Sequence, residues 1–186
     1  MKTKALLTIS VLVMLMLASC NGNKSNNTDA WVAENHEPVL RQLPDYYLED
    51  SATVGGHLYT YEITREPSDS LPRVQDDMGD LYADNIICLT LRRDGNMYFK
   101  KRFTKATFAS SIEENFYKNA ILDGIRFIRG EAGQGLTFSF AVSYPDSDMS
   151  MPFLLTVTDG GSFSFVKNDN LDMMEGDSTY YDNDGV

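Results

Sequence analysis

A nine-residue segment in the C-terminal half of the chain alternates strictly in polarity. Apolar or aromatic side chains occupy the even-numbered positions from Leu136 to Tyr144, and small side chains occupy the odd-numbered positions between them. Successive side chains of a β-strand point to opposite faces of a sheet, so this strand has one apolar and one polar face. The pattern predicts an antiparallel sheet with one buried face and one solvated face.

The same alternation recurs earlier in the chain. In residues 57–64, Tyr59, Tyr61 and Ile63 alternate with polar side chains. We therefore expect a mainly β fold with about eight strands and one or two short helices. The expected architecture is a single antiparallel β-sandwich or an open barrel.

The segment over residues 153–167 predicts a hairpin whose register follows from its side chains. A three-residue loop over residues 159–161 places Val157 opposite Phe163 and hydroxyl side chains opposite one another. Cross-strand pairs of like polarity stabilise a hairpin, and Gly161 supplies the left-handed residue that such a loop needs.

A second hairpin is predicted over residues 85–104, where two registers compete. A two-residue Asp-Gly turn would set Leu91 against Tyr98, whereas a three-residue loop over residues 93–95 sets Leu91 against Met97. We favour the three-residue loop because it pairs apolar side chains along one face.

One α-helix is predicted over residues 112–118, between two groups of strands. Ser110 or Ser111 can cap its first turn, and Glu113 and Glu114 complement the positive end of its dipole.

The first twenty residues carry an export signal. Lys2 and Lys4 precede an apolar run over residues 5–18, which is shorter than the roughly 20 residues of a membrane-spanning helix. The run ends in Leu-Ala-Ser-Cys at positions 17–20. These residues resemble the lipobox of bacterial lipoproteins, which implies cleavage before Cys20 and lipidation of that cysteine.

Cleavage before Cys20 defines the expected organisation of the chain. We predict a signal peptide over residues 1–19, a lipidated cysteine and flexible tether over residues 20–38, a β domain over residues 39–168 and an acidic tail over residues 169–186. Loss of Lys2 and Lys4 leaves 14 of the 16 basic side chains against 27 acidic ones, a net charge of −13. We expect no nucleic-acid partner for so acidic a protein.

Cys88 has no intramolecular partner once Cys20 carries lipid. A lone cysteine is most often a small buried hydrophobic residue, which is the interpretation we favour. In the favoured register of the second hairpin, however, Lys100 lies opposite Cys88 on the polar face, and a neighbouring ammonium favours a reactive thiolate.

Basic residues are concentrated around the second hairpin. They define a candidate cationic surface patch of Arg92, Arg93, Lys100, Arg102 and Lys105. Such a patch could bind an anionic partner, for example lipid phosphates or a charged polymer. The interpretation that we favour is a solvated face balanced in part by the acidic tail.

Motifs for catalysis or cofactor binding are not recognised. The two histidines, His36 and His57, belong to no metalloprotease motif, and the chain has neither a nucleophile elbow nor a phosphate loop. Asp76, Asp77, Asp80 and Asp84 flank Gly79 without a complete calcium loop, so a calcium site there is an alternative that we do not favour. We expect no cofactor, no bound metal and no enzymatic activity.

The overall layout resembles small uncharacterised lipoproteins of Bacteroidota, with a lipobox, a polar tether and one β-rich domain. The resemblance implies a lipid anchor in the outer membrane, facing the periplasm, because residues 21–28 contain Lys24 and no acidic residue. The favoured function is a non-enzymatic module that binds another envelope protein or supports an assembly. The alternatives are a hydrolase with an unrecognised carboxylate site and a lipid- or glycan-binding module. A deep pocket lined by Tyr59, Tyr61, Phe138 or Phe140 would favour the lipid- or glycan-binding module.

Overall fold

The computed structural model describes residues 37–168. Within this range the chain forms eleven strands, a 3-10 helix over Lys105–Ser111 and one α-helix, α1, over Glu114–Asn119. The strands, in chain order, are β1 (Leu40–Arg41), β2 (Tyr46–Val54), β3 (His57–Pro67), β4 (Val74–Gln75), β5 (Leu81–Tyr82), β6 (Asn85–Arg93), β7 (Asn96–Phe103), β8 (Ile121–Glu131), β9 (Gly135–Ser143), β10 (Ser150–Val157) and β11 (Phe163–Lys167). Neither helix in this range has the length and apolar character that a membrane span requires.

Eight of these strands form two four-stranded sheets. The first sheet has the spatial order β2-β3-β6-β7 and the second has the order β8-β9-β10-β11, with every neighbouring pair antiparallel. Neither sheet closes into a barrel. The prediction of a mainly β fold is confirmed.

The three remaining strands form a small third sheet, which the sequence patterns did not predict. Each is two residues long, and β1 is parallel to β5 whereas β4 is antiparallel to it. Backbone N–H groups of Leu81 and Ala83 donate to the carbonyl oxygens of Val39 and Arg41. This pairing holds the chain just after residue 38 against the segment that precedes β6.

One apolar core receives side chains from both four-stranded sheets. Tyr61 of the first sheet stacks on Phe127 of the second, with ring centroids 5.0 Å apart, and the centroids of Phe103 and Phe140 are 4.9 Å apart. Tyr59, Tyr61, Phe138 and Phe140 are at most 4% exposed. These four side chains therefore fill the core and do not line a pocket, so the feature that would favour the ligand-binding alternative is not found at these residues.

Strand β9 is buried on both faces, whereas its alternation predicted one solvated face. The side chains of Leu136, Phe138 and Phe140 enter the core, and Ser139 on the opposite face is only 4% exposed. Ser139 lies directly between Arg126 of β8 and a leucine of β10. A small side chain on a central strand is covered by its longer neighbours, which the alternation alone does not show.

The predicted register of the β10–β11 hairpin is confirmed. Val157 lies opposite Phe163, and Thr156 lies opposite Ser164. Gly161 has φ +79°, as the three-residue loop requires.

The predicted register of the β6–β7 hairpin is wrong. The turn has two residues, Asp94 and Gly95, both with positive φ, and β7 carries an extra residue at Tyr98, so that Leu91 lies opposite Phe99. The bulge restores apolar pairing beyond a tight turn, an arrangement that the two alternatives considered from the sequence did not include. One consequence is that Cys88 lies opposite Arg102 rather than Lys100.

The predicted helix is displaced. Ser110 and Ser111 end the 3-10 helix, and α1 begins at Glu114 after Glu113, which makes no side-chain capping bond. The 3-10 helix brings the fully buried Phe108 onto Phe153, with ring centroids 4.7 Å apart. The 3-10 helix buries a single aromatic ring, so its sequence shows no helical periodicity of apolar residues. The periodicity therefore could not predict this helix.

Candidate functional site

The predicted cationic patch is divided between the two faces of the first sheet and the start of the 3-10 helix, where Lys105 is buried. Arg92, Lys100 and Arg102 share the outer face, where Lys100 and Arg102 are exposed and Arg92 lies 3.8 Å from Glu62. Arg93 is on the opposite face, over the ring of Tyr59 at 5.7 Å.

Lys105 is not a surface residue. Its side chain is only 8% exposed. The Nζ atom donates to the carbonyl oxygen of Ala120 at 2.7 Å, and the same atom lies 3.5 Å from Oδ2 of Asp84. The inclusion of Lys105 in a surface patch is therefore wrong, because the lysine neutralises a buried carboxylate.

Of the two cysteines, only Cys88 lies within the residues that the structure describes. Cys20 lies outside the described residues, as do the signal peptide, most of the tether and the acidic tail. Cys88 is a free, half-buried cysteine on the outer face of the first sheet, opposite Thr64 and Arg102.

The acidic residues near Gly79 point to separate partners. Asp80 accepts hydrogen bonds from the backbone of Val39 and from Arg41, whereas Asp84 accepts from the backbone N–H groups of Asn85 and Leu122. Within residues 37–168, no group of three or more His, Cys, Asp or Glu side chains has an arrangement that could hold a metal ion.

A cleft of about 210 Å³ lies between the loop over residues 75–78 and the loop over residues 144–149. We call it the acidic cleft, because Asp76, Asp77 and Asp146 line it against a single cation, Arg41. Its walls also include Met78 and Met149, and α1 contributes Asn119 at one end.

The first wall of the acidic cleft is fixed by the side chain of Asp76. One carboxylate oxygen of Asp76 accepts the backbone N–H groups of Met78 at 2.9 Å and of Asp80 at 2.8 Å. Gly79 has φ +95° and its N–H donates to the carbonyl oxygen of Asp76. These bonds close a tight turn that holds Met78 at its tip.

The second wall is joined to the small sheet by Asp146. Its carboxylate accepts a hydrogen bond from the hydroxyl of Tyr82 and lies 4.0 Å from Arg41. Burial and this hydrogen bond raise the pKa of Tyr82 to about 12, so the hydroxyl keeps its proton at neutral pH. Tyr144, at the start of the same loop, stacks on Phe116 of α1 with centroids 4.7 Å apart.

Two exposed methionines give the acidic cleft an apolar surface beside its carboxylates. Met78 is 73% exposed and Met149 is 51% exposed, and both line the cleft. Val39 and Leu40, about half exposed, lie on the segment that leads into Arg41. Exposed methionines adapt to different partners, and contiguous exposed apolar side chains are typical of protein interaction sites.

A second cleft, of about 180 Å³, has Tyr117 and Lys118 of α1 in its walls. We call it the basic cleft, because Arg73, Lys105 and Lys118 line it against a single carboxylate, Asp84. Tyr117 of α1 forms part of the wall, and the ammonium of Lys105 lies 4.9 Å from its ring centroid. Burial lowers the pKa of Lys105, opposed by the neighbouring Asp84.

The sequence also matches a protein family. Residues 26–165 match the family described as "Domain of unknown function (DUF4738)". The chain belongs to the DUF4738 family. The DUF4738 match covers the first four-stranded sheet, the second sheet as far as Phe165 in β11, and the residues that line both clefts. No curated protein matches the chain.

Neither cleft of this DUF4738 protein was predicted as a site. Their residues come from segments far apart in the sequence, as Arg41 and Asp146 or Asp84 and Lys105 illustrate. The one available signal was the group of aspartates around Gly79, which we interpreted only as a calcium alternative.

Proposed function

We propose that this DUF4738 protein is an envelope lipoprotein whose β domain is a non-enzymatic docking module. In this proposal, lipidated Cys20 anchors the chain to the outer membrane on the periplasmic side, and the polar tether separates the domain from the lipid. The two four-stranded sheets pack as a β-sandwich, a proposal supported by the core that they share.

The occupant that we propose for the acidic cleft is a segment of an envelope protein that carries basic and apolar side chains. One observation carries the proposal: Met78 and Met149 are exposed in a cleft lined by three carboxylates and one guanidinium. Apolar side chains of the partner would contact the methionines, and its lysines or arginines would face the aspartates.

The turns around the acidic cleft are already formed, which favours binding. Asp76 and Asp146 hold the two walls through hydrogen bonds within the domain. Less conformational entropy is then lost when a partner docks. The same hydrogen bonds weaken the hydrolase alternative, since these carboxylates have structural partners.

A titration with synthetic peptides tests the docking proposal. The acylated full chain, in detergent, is titrated with a peptide of alternating leucine and lysine, and with the same peptide carrying glutamate in place of lysine. We expect the lysine peptide to bind at least about tenfold more tightly.

Two variants locate the binding site. The Met78→Ser, Met149→Ser double variant should weaken binding of the lysine peptide about tenfold or more. Met97→Ser is the matched control, because Met97 is 59% exposed but lies on the first sheet, away from the acidic cleft. Equal affinity for both peptides, or equal loss in the control, would overturn the proposal.

A further inference from the structure

The two four-stranded sheets have four edge strands, β2 and β7 in the first sheet and β8 and β11 in the second. The backbone N–H and C=O groups along an exposed edge can pair with another chain, and proteins block such edges with bulges and with charged side chains that point inward. Three of these four edges carry such a feature, and β11 differs from them.

The edge of β2 is blocked by Asp50, which lies opposite the core residue Tyr61 and accepts its hydroxyl at 3.0 Å. The same carboxylate accepts the backbone N–H of Ser51 at 2.7 Å. Strand β7 has the bulge at Tyr98 and the inward-facing Lys101. Strand β8 has two irregularities in its pairing with β9.

Strand β11 presents a regular edge. Its five residues pair with β10 in one unbroken register, and only its last residue, Lys167, is charged. Within residues 37–168, no strand pairs with β11 on its other side. The carbonyl oxygen of Ser162 and the N–H of Asn168 both bond on the β10 side. Bonding alternates along an antiparallel strand, so the backbone groups of Phe163 and Phe165 face the open edge.

Positive charge flanks this open edge. Lys101 reaches it from β7, with its Nζ 4.9 Å from the ring centroid of Phe163. At the other end of the strand, Lys167 lies on the same face as Phe163. A Cβ at Gly161 would lie 2.8 Å from the carbonyl oxygen of Tyr98, so β7 closes the edge just before β11 begins. A strand added here is therefore short.

We propose that the edge of β11 binds an extended segment of another protein, which adds to the second sheet as a fifth strand. The added strand is antiparallel, like every other pair in this sheet, and bonds to the backbone of Phe163 and Phe165. Its inward-facing side chains are two acidic residues four positions apart, beside Lys101 and Lys167, with an apolar residue midway between them beside Phe165.

The spacing of these side chains indicates a separate protein as the partner. Residues 169–186 of the chain are acidic, but no apolar residue among them has an acidic residue both two positions before and two positions after it. Strand β11 of a second copy does not fit either, because it contains no acidic residue. The edge of β11 is not part of the acidic cleft, so this proposal does not depend on the occupant proposed for that cleft.

Two synthetic peptides of equal composition test the spacing. The acylated full chain, in detergent, is titrated with acetyl-Thr-Glu-Thr-Val-Thr-Glu-Thr-amide and with acetyl-Thr-Thr-Glu-Val-Glu-Thr-Thr-amide. We expect the first peptide to bind at least about tenfold more tightly, because only its glutamates can lie beside both lysines at once. Equal affinities, or no binding of the first peptide at millimolar concentration, would overturn the proposal.

N-methylated forms of the first peptide test the strand geometry. The valine lies opposite Phe165, so its N–H donates to β11, whereas the N–H of the next threonine faces away. A methyl group on the valine nitrogen should weaken binding about tenfold or more, and one on the threonine nitrogen less than about twofold. Equal effects would contradict strand addition.

Two single variants locate the site. Lys101→Gln should weaken binding of the first peptide about fivefold or more. Lys100→Gln is the matched control, because it removes the same charge from the neighbouring residue of β7, which is exposed on the outer face. An equal loss in both variants would show that net charge alone attracts the peptide, and would contradict the proposal.

The same titration separates the proposed partner from the other occupants of the edge. Binding of the first peptide only after removal of residues 169–186 would assign the edge to the chain itself. A dimer of the protein that the peptide dissociates would assign the edge to a second copy. Either result would overturn the proposal of a separate partner.

Discussion

The ammonium of Lys105 lies 3.5 Å from a carboxylate oxygen of Asp84, although the two side chains are only 8% and 1% exposed. Asp84 also accepts the backbone N–H of Leu122 at 2.8 Å, and Lys105 donates to the carbonyl oxygen of Ala120 at 2.7 Å. The pair therefore joins the start of β6, the 3-10 helix and the start of β8 beneath the basic cleft.

Removal of one partner of this pair should destabilise the domain strongly. Lys105→Met leaves the charge of Asp84 buried without compensation, and we expect a loss of about 3–5 kcal/mol in the free energy of unfolding. The measurement is urea denaturation followed by circular dichroism.

Neutralising both partners should recover much of that loss. In the Lys105→Met, Asp84→Asn double variant, the asparagine oxygen can still accept the backbone N–H of Leu122, and no uncompensated charge is buried. Lys118→Met, an exposed control, should change stability by no more than about 0.5 kcal/mol. A double variant no more stable than Lys105→Met would contradict this account of the pair.

Two glycines in and after the β8–β9 turn should respond differently to alanine. Both have positive φ, +76° at Gly133 and +102° at Gly135, so each alanine carries backbone strain of about 1–2 kcal/mol. A Cβ at Gly135 would also lie 2.0 Å from the carbonyl oxygen of Val157, whereas a Cβ at Gly133 meets nothing within 4 Å.

We therefore expect Gly135→Ala to cost about 1–3 kcal/mol more than Gly133→Ala in urea denaturation. Equal costs would mean that strand β10 does not approach the chain closely at Gly135.

The Asp94 carboxylate should give the β6–β7 turn a measurable pH dependence. Hydrogen bonds from His57 at 2.6 Å and from the backbone N–H of Leu58 at 3.0 Å hold its pKa below the usual 3.8. A carboxylate with a lowered pKa in the folded state stabilises the fold above pH 3.8, and this contribution is lost as the pH falls below that value.

The comparison of wild type with Asp94→Asn isolates that contribution. Asparagine tolerates the left-handed backbone of the turn but does not titrate. The difference in urea midpoint between the two proteins should shrink as the pH falls below 3.8. A difference that grows below pH 3.8 would contradict the sign of the shift.

The parts of the fold that local chemistry determines were predictable from the sequence. The β10–β11 register followed from threonine opposite serine and from a glycine in the loop, and the structure agrees. The β6–β7 register was not predictable in the same way, because the bulge at Tyr98 lets a tight turn and apolar pairing coexist.

The two clefts could not be predicted, because distant segments create them. Nothing near Lys105 in the sequence indicates that it will meet Asp84, 21 residues earlier, and its neighbours suggested a cationic surface. Met78 and Met149 likewise become neighbours of one cleft only after the small sheet and the loop after β9 are in place.

Site-specific photocrosslinking in the native host tests the docking proposal most directly. A benzophenone amino acid is placed at position 78, beside the acidic cleft, or at position 97 as the control, in the acylated full chain. The crosslinked segment of the partner is then sequenced by mass spectrometry. The account predicts one dominant partner at position 78, joined through a segment of lysine or arginine with apolar residues. Equal crosslinking from both positions, or an acidic partner segment, would contradict it.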